Sequence, residues 1–251
     1  MKRLAALILI CVWTAYAQDD ALYRALRALP GVEEVSAVKA DSMFRAAYEI
    51  RVRQPLDHAH PGGKSFLQSV YVDHVDSGSP VVLETEGYAV TRGGGRPREL
   101  ASILRCNQVV VEHRFFGGSA PDSLEWPFLT TRQAAADHHH IRVLLGAIYR
   151  GKWVSSGTSK GGQTALFYRY YYPDDVDATV AYVAPVNLSI YIYGENDLWG
   201  ATAMELSGKT NAIKVVKAGG SHRTRIRTLS HDQQATVCTA LESWLGVHIT
   251  R

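Results

Sequence analysis

Apolar and polar residues alternate over Phe44 to Val52 and again over Phe66 to Val75, with a turn-forming cluster, Pro55 to Lys64, between them. Alternation with a period of two predicts a pair of antiparallel strands, each half-buried. The pattern then changes. Val81–Thr85, Gln108–Val111, the run beginning at Trp153, Ala178–Ala184, Tyr191–Tyr193 and Ile213–Ala218 are short and almost continuously apolar. Strands buried on both faces read this way. Helix-compatible stretches fall between them at Arg98–Leu104, Thr130–Tyr149, Gln163–Tyr172 and Ala201–Leu206. An amphipathic segment, Asp19–Leu29, precedes the first strand and is closed by Pro30-Gly31, and His231–Leu245 closes the chain. Strands alternating with helices predict an α/β domain, a mostly parallel central sheet with helices on both faces.

One junction breaks this pattern. The strand ending near Ala184 and the strand starting near Leu188 are expected to be parallel neighbours, yet only Pro185, Val186 and Asn187 separate them. A parallel crossover ordinarily needs about a dozen residues. Either one strand boundary is misplaced or a segment is absent.

The 251 residues suit a single such domain, and 46% apolar content supplies a large core. The formal charge is +3, of which Lys2 and Arg3 supply two, too little to predict a nucleic-acid or anionic-membrane partner. Met1-Lys2-Arg3, the apolar run Leu4–Trp13 and Ala15-Tyr16-Ala17 have the form of an export signal, with cleavage expected after Ala17. The run is shorter than the roughly 20 apolar residues of a membrane span. The expected organisation is therefore a leader over 1–17 and one exported domain, secreted or periplasmic, over 18–251. Cys106 and Cys238 remain after cleavage, on the helices expected to cover one face of the sheet. They form either a bridge or two buried thiols.

Chemistry concentrates at Ser156-Gly157-Thr158-Ser159-Lys160-Gly161-Gly162. A G-x-S-x-G sequence between a strand and a helix is the pattern of a nucleophile elbow, which lifts a serine hydroxyl off the sheet and aims a helix N-terminus at it. Alone it is a weak signal. Downstream, Asp197 follows an apolar strand and His222 follows the next one. Nucleophile, acid and base in that order, each past the carboxyl end of a strand, is the arrangement of an α/β-hydrolase. The Lys160 N–H is then one oxyanion donor. A second is expected from Gly87 or Tyr88, in the loop after Val81–Thr85, which otherwise reads as a plain strand-end turn.

Other candidates weaken on inspection. Gly63-Lys64-Ser65 resembles the end of a phosphate loop, but its required earlier glycine falls at His58. His58 and His60 read as a solvated turn, and His138-His139-His140 as helix surface and its margins, since neighbours on a helix point about 100° apart. No metal site is predicted.

Glu112-His113-Arg114-Phe115-Phe116-Gly117, Leu129-Thr130-Thr131-Arg132-Gln133-Ala134-Ala135-Ala136-Asp137, the Ser159 elbow, Tyr193-Gly194-Glu195-Asn196-Asp197-Leu198-Trp199 and Gly219-Gly220-Ser221-His222-Arg223-Thr224-Arg225-Ile226 together resemble the bacterial secreted tripeptidyl aminopeptidases. These are serine peptidases related to lysosomal Pro-X carboxypeptidase and dipeptidyl peptidase II. The resemblance implies Ser159, Asp197 and His222 as the catalytic triad and no metal or organic cofactor. It also implies peptide substrates with a free N-terminus, often cut after proline. Members carry a helical cap between the strands flanking 185–188, and here that cap is missing. Glu112 is expected to meet the substrate's ammonium or else an arginine, and Trp126 and Trp199 to line the pocket or pack elsewhere. Two rival readings are a capless chain without turnover and a generic secreted esterase on the same triad.

Overall fold

The computed structural model describes residues 21–91, 93–184, 190–196 and 213–249. Its first strands are β1 (Val32–Ala37), β2 (Ala46–Pro55) and β3 (Ser65–His74), joined antiparallel as the alternation predicts. Along β2, Tyr48, Ile50, Val52 and Gln54 are buried while Glu49, Arg51 and Arg53 are not. The apolar runs form β4 (Val81–Thr85), β5 (Asn107–Val111), β6 (Trp153–Thr158), β7 (Ala178–Tyr182), β8 (Ile190–Gly194) and β9 (Lys214–Lys217). The strand order is β1-β2-β3-β5-β4-β6-β7-β8-β9, parallel from β5 onward. β4, β5 and β7 are buried at every position, as their lack of alternation requires.

Helices cover both faces. Helical residues 21–27 (α1), α3 (Thr131–Leu145) and Tyr168 of α4 (Lys160–Tyr171) join one apolar layer, containing Leu26, Ile50, Leu83, Ile141 and Trp153. α2 (Glu99–Leu104) and α5 (His231–Leu245) cover the other, with Leu100, Val154, Ile192 and Leu241. α3 starts where its sequence stops it fraying, since the Thr130 side chain accepts the Gln133 N–H. Ser230 and Gln233 form a reciprocal capping box at the start of α5. Cys106 and Cys238 do lie on the shared α2–α5 face, buried and not joined in a disulfide. Burial pushes the Cys106 thiol up to about 12, which keeps it protonated and inert.

The junction at 185–188 resolves through strand boundaries. β7 ends at Tyr182 and β8 begins at Ile190, and they pair in parallel through three positions, Val180 with Ile190 to Tyr182 with Ile192. The offset between the end of β7 and the start of β8 is therefore only two residue steps, roughly 7 Å at a strand's rise per residue. A full-length overlap would have needed a helix. The chain leaves β7 through Val183 at φ +44°, an unfavourable region for a β-branched residue. Residues 185–189 and the short helix expected at Ala201–Leu206 lie outside the described residues, as do the leader expected over 1–17 and the cleavage expected after Ala17.

The histidines correct two expectations. His58 is not simply solvated: its Nε2 lies 2.7 Å from Asp137 Oδ1, with the side chain 19% exposed. His138 is not helix surface but core. Its Nδ1 lies 2.6 Å from the Ala134 carbonyl, and burial lowers its basicity. His139 stacks on Tyr172 and His140 meets Gln54, so the three rings do point in different directions. Among the described residues, no cluster of three or more His, Cys, Asp or Glu has a metal-binding arrangement.

Candidate active site

β6 stops at Thr158 and α4 starts at Lys160, so the whole turn falls on Ser159, at φ +56° and ψ −121°. That backbone is strained for a non-glycine residue. Its hydrogen bonds hold it there: Ser159 N–H donates to the Tyr182 carbonyl at 2.8 Å, and its carbonyl accepts the Gln163 N–H at 3.0 Å. The flanking glycines are required by contact. A methyl at Gly161 would sit 2.5 Å from the Thr85 carbonyl oxygen, and one at Gly157 would overlap the Gly161 backbone. The Thr85 hydroxyl donates to the carbonyls of Ser156 and Gly161, fastening the end of β4 to both sides of the turn. Nothing in the sequence marked Thr85 for this role, because its partners lie more than 70 residues away.

The loop after β4 reaches the elbow directly. A methyl at Gly87 would lie 2.6 Å from Lys160 Cβ and 2.8 Å from the Gly161 nitrogen. The Gly87–Tyr88 backbone is thus in contact with the first turn of α4. Gly87→Ala is expected to push this loop off the elbow and lower kcat about 100-fold, the scale of losing one oxyanion donor. The thermal transition should move by only a few degrees, and steady-state kinetics beside a melting curve check both parts.

Glu112 is taken up by its own loops. It is 4% exposed. Its Oε1 accepts the Val90 N–H at 2.9 Å, and its Oε2 accepts the Ser119 N–H and hydroxyl at 2.9 and 2.8 Å. Its partners are loop donors rather than an arginine, and its work is to hold the turn 116–119 and the segment after Tyr88 together. Arg114, two residues on from Glu112, is fully buried and grips Asp137 with two nitrogens at 2.7 and 2.8 Å. It also donates to the carbonyls of Pro55, Leu56 and Phe128. Burial raises the Asp137 carboxyl, but the Arg114 guanidinium and His58 outweigh it and hold Asp137 below the usual range.

His113 is buried, with Nδ1 2.9 Å from the Arg114 carbonyl. Burial, helped by the nearby Lys160 ammonium, lowers its pKa to about 4. The unfolded chain binds this proton near pH 6.5, and the folded chain only near 4. Stability carried by neutral His113 is therefore complete above about pH 6.5 and lost as pH falls towards 4, by roughly 3 kcal/mol at most. Urea midpoints measured across that window should fall with acidity. His113→Gln should flatten the slope, leaving the contributions of His74, His138 and His140, which burial shifts the same way.

His222 lies on the loop after β9, partly exposed. That loop is stitched to the end of β8: Asn196 N–H donates to the Gly220 carbonyl at 2.8 Å, and Gly219 N–H donates to Glu195 Oε2 at 2.8 Å. Three residues on from His222, the Arg225 guanidinium stands 5.8 Å from the Tyr182 ring, and the Tyr182 carbonyl holds Ser159. The end of β8, the His222 loop and the elbow are therefore neighbours along one rim. Asp197 and Trp199 lie outside the described residues. Trp126 stands on the surface, 61% exposed, with its ring 6.0 Å from that of Phe115. A cavity of about 1140 Å³ adjoins the rim on the α2–α5 side; Glu84, Arg98, Thr158, Tyr182 and Arg225 are among its walls, and Ser159 is not. Burial raises the Glu84 carboxyl there.

A mostly parallel sheet with helices on both faces, and a strand-to-helix elbow at Ser159, give the chain the α/β-hydrolase fold. The chain belongs to the PS-10 peptidase S37 family, whose model matches residues 19–190. It is 43% identical over 133 residues to the prolyl tri/tetrapeptidyl aminopeptidase of Streptomyces mobaraensis, covering 53% of this chain and 28% of that one. It is 29% identical over 219 residues to the human thymus-specific serine protease, covering 73% and 43%. The chain thus spans less than half the length of these curated relatives. Among solved structures, an α/β serine hydrolase without lid from Xanthomonas campestris superposes with a TM-score of 0.52 at 14% identity, covering 86% of this chain and 97% of that one. The α/β hydrolase GrgF from Penicillium gives 0.58 at 9% identity, covering 80% and 99%. Both likenesses bear on the fold alone.

Proposed function

We propose that this chain is a serine exopeptidase that releases short peptides from free N-termini, acting outside the cytoplasm after loss of a leader over 1–17. The observation carrying this reading is the Ser159 elbow, held at positive φ against the Gly87 loop. Ser159 Oγ attacks the scissile carbonyl while His222 takes its proton, and Asp197 orients the imidazole and steadies its positive charge. The oxyanion rests on N–H groups of Lys160 and of Gly87 or Tyr88. Collapse breaks the C–N bond, and His222 returns the proton to the departing amine. Water, deprotonated by the same histidine, then attacks the acyl-enzyme, and Ser159 leaves with that proton. Trp126 and the exposed Tyr88 supply an apolar rim for the peptide, with Trp199 as a third candidate. The mechanism uses no metal or organic cofactor.

The short connection at 183–189, where a cap would be inserted, supports a second reading, an open esterase on the same triad. The two readings predict different kinetics. A tripeptide anilide with a free amine should be cut at least tenfold faster, by kcat/KM, than its N-acetylated form. Equal rates, with faster turnover of p-nitrophenyl acetate, would favour the esterase.

A further inference from the structure

The Lys160 side chain has a place that the roles above leave unused. Its ammonium donates to the Gly87 carbonyl at 2.5 Å and stands 4.5 Å from the Tyr88 ring centroid and 4.8 Å from that of Phe116. The two rings meet edge to face at 5.2 Å. The cation thus joins three segments: the elbow that carries it, the loop after β4, and the 112–119 loop. Burial lowers its proton affinity, so it gives up solvation to be there.

The geometry points to Lys160 as a positioning residue for the oxyanion site, acting through the Gly87–Tyr88 peptide; this rests on the hydrolase reading above. In a trans peptide, the carbonyl and the following N–H point in opposite directions. Pinning the Gly87 carbonyl therefore fixes where the Tyr88 N–H points. On the other side of the same residue, the Tyr88 carbonyl accepts the His113 N–H at 3.2 Å, so Tyr88 is held from both flanks. A full positive charge on the Gly87 oxygen also polarises that amide and makes the Tyr88 N–H a stronger donor. Tyr88 rather than Gly87 is then the second donor, and the residue following the nucleophile serves twice, through its backbone and through its side chain.

Lys160→Met keeps the length and apolar stem of the side chain and removes the cation. It is expected to lower kcat about 10- to 100-fold, a fraction of what deleting a whole donor costs, with KM for the tripeptide anilide unchanged within about twofold. p-Nitrophenyl acetate, which does not reach the peptide-binding rim, should lose the same factor. Lys160→Arg, which keeps a cation able to stack between the rings, should recover most of the loss. Amide exchange of residues 86–90 should speed up in the methionine variant while β4 stays protected. An unchanged kcat, a rise in KM alone, an arginine variant as slow as methionine, or unchanged exchange at 86–90 would each overturn the inference. A wild-type chain that labels with a fluorophosphonate at Ser159 keeps the hydrolase reading whichever way Lys160 falls. A chain that neither labels nor turns over removes that reading and this one's catalytic consequence together, and exchange then decides the contact alone.

Discussion

Ser159→Ala is expected to reduce hydrolysis of any substrate the wild type accepts by at least about 10⁴-fold, because members of a nucleophile–base–acid set act as a unit and losing the nucleophile removes the covalent route. The fold should survive. The strained dihedral at 159 is set by the Tyr182 and Gln163 hydrogen bonds and by Thr85 across the turn, none of which involves the serine hydroxyl. Alanine tolerates positive φ no better than serine does, so the melting temperature should stay within a few degrees. Large activity loss without stability loss is the signature that separates a reacting hydroxyl from a structural one.

Asp137→Ala is expected to do the reverse and cost stability first. The carboxylate and the Arg114 guanidinium are both fully buried. Removing one member of a buried pair leaves the other charged and unpaired, typically at a cost of 3–5 kcal/mol. The urea midpoint should drop accordingly. The double variant Asp137→Leu/Arg114→Met should recover a large part of the loss, because no uncompensated charge then remains. Arg114 also ties the 112–119 loop to the carbonyls of Pro55, Leu56 and Phe128. Turnover should therefore fall in the single variant even where it remains folded, through displacement of Phe116 from Lys160. A single variant as stable as wild type would mean that water reaches this pair.

How far the sequence disclosed these features depends on how local their causes are. The elbow could be read from five residues, because the reasons for Gly157 and Gly161 lie within the turn and at one strand end beside it. The strand and helix types could be read from periodicity, since alternation along β2 and its absence along β4 reflect burial on one face or two. The boundaries of β7 and β8 were harder. Both segments are mostly apolar, so the pattern did not show where pairing stops, and a shift of two residues at each end turned an impossible crossover into a short one. The surroundings of Glu112 were not legible, because a carboxylate past a strand end looks the same whether it meets a ligand or a loop. Its actual partners are mainly backbone N–H groups at Val90 and Ser119, which carry no sequence signature. The burial of Asp137 and His138 was hidden for a similar reason. What buries them is β2, α4 and the turn at 55–60, and helical periodicity alone does not show which face a crowded helix presents to a sheet.

The account rests on Ser159 being activated by His222. The most direct measurement is reaction of the purified chain with a fluorophosphonate probe, with the adduct located by mass spectrometry of the peptide containing residues 153–162. The expected result is one adduct, on Ser159, absent in Ser159→Ala and formed at least about 100-fold more slowly in His222→Ala, the lower end of what a general base contributes. An adduct elsewhere, or labelling of Ser159 at the same rate without His222, would contradict it.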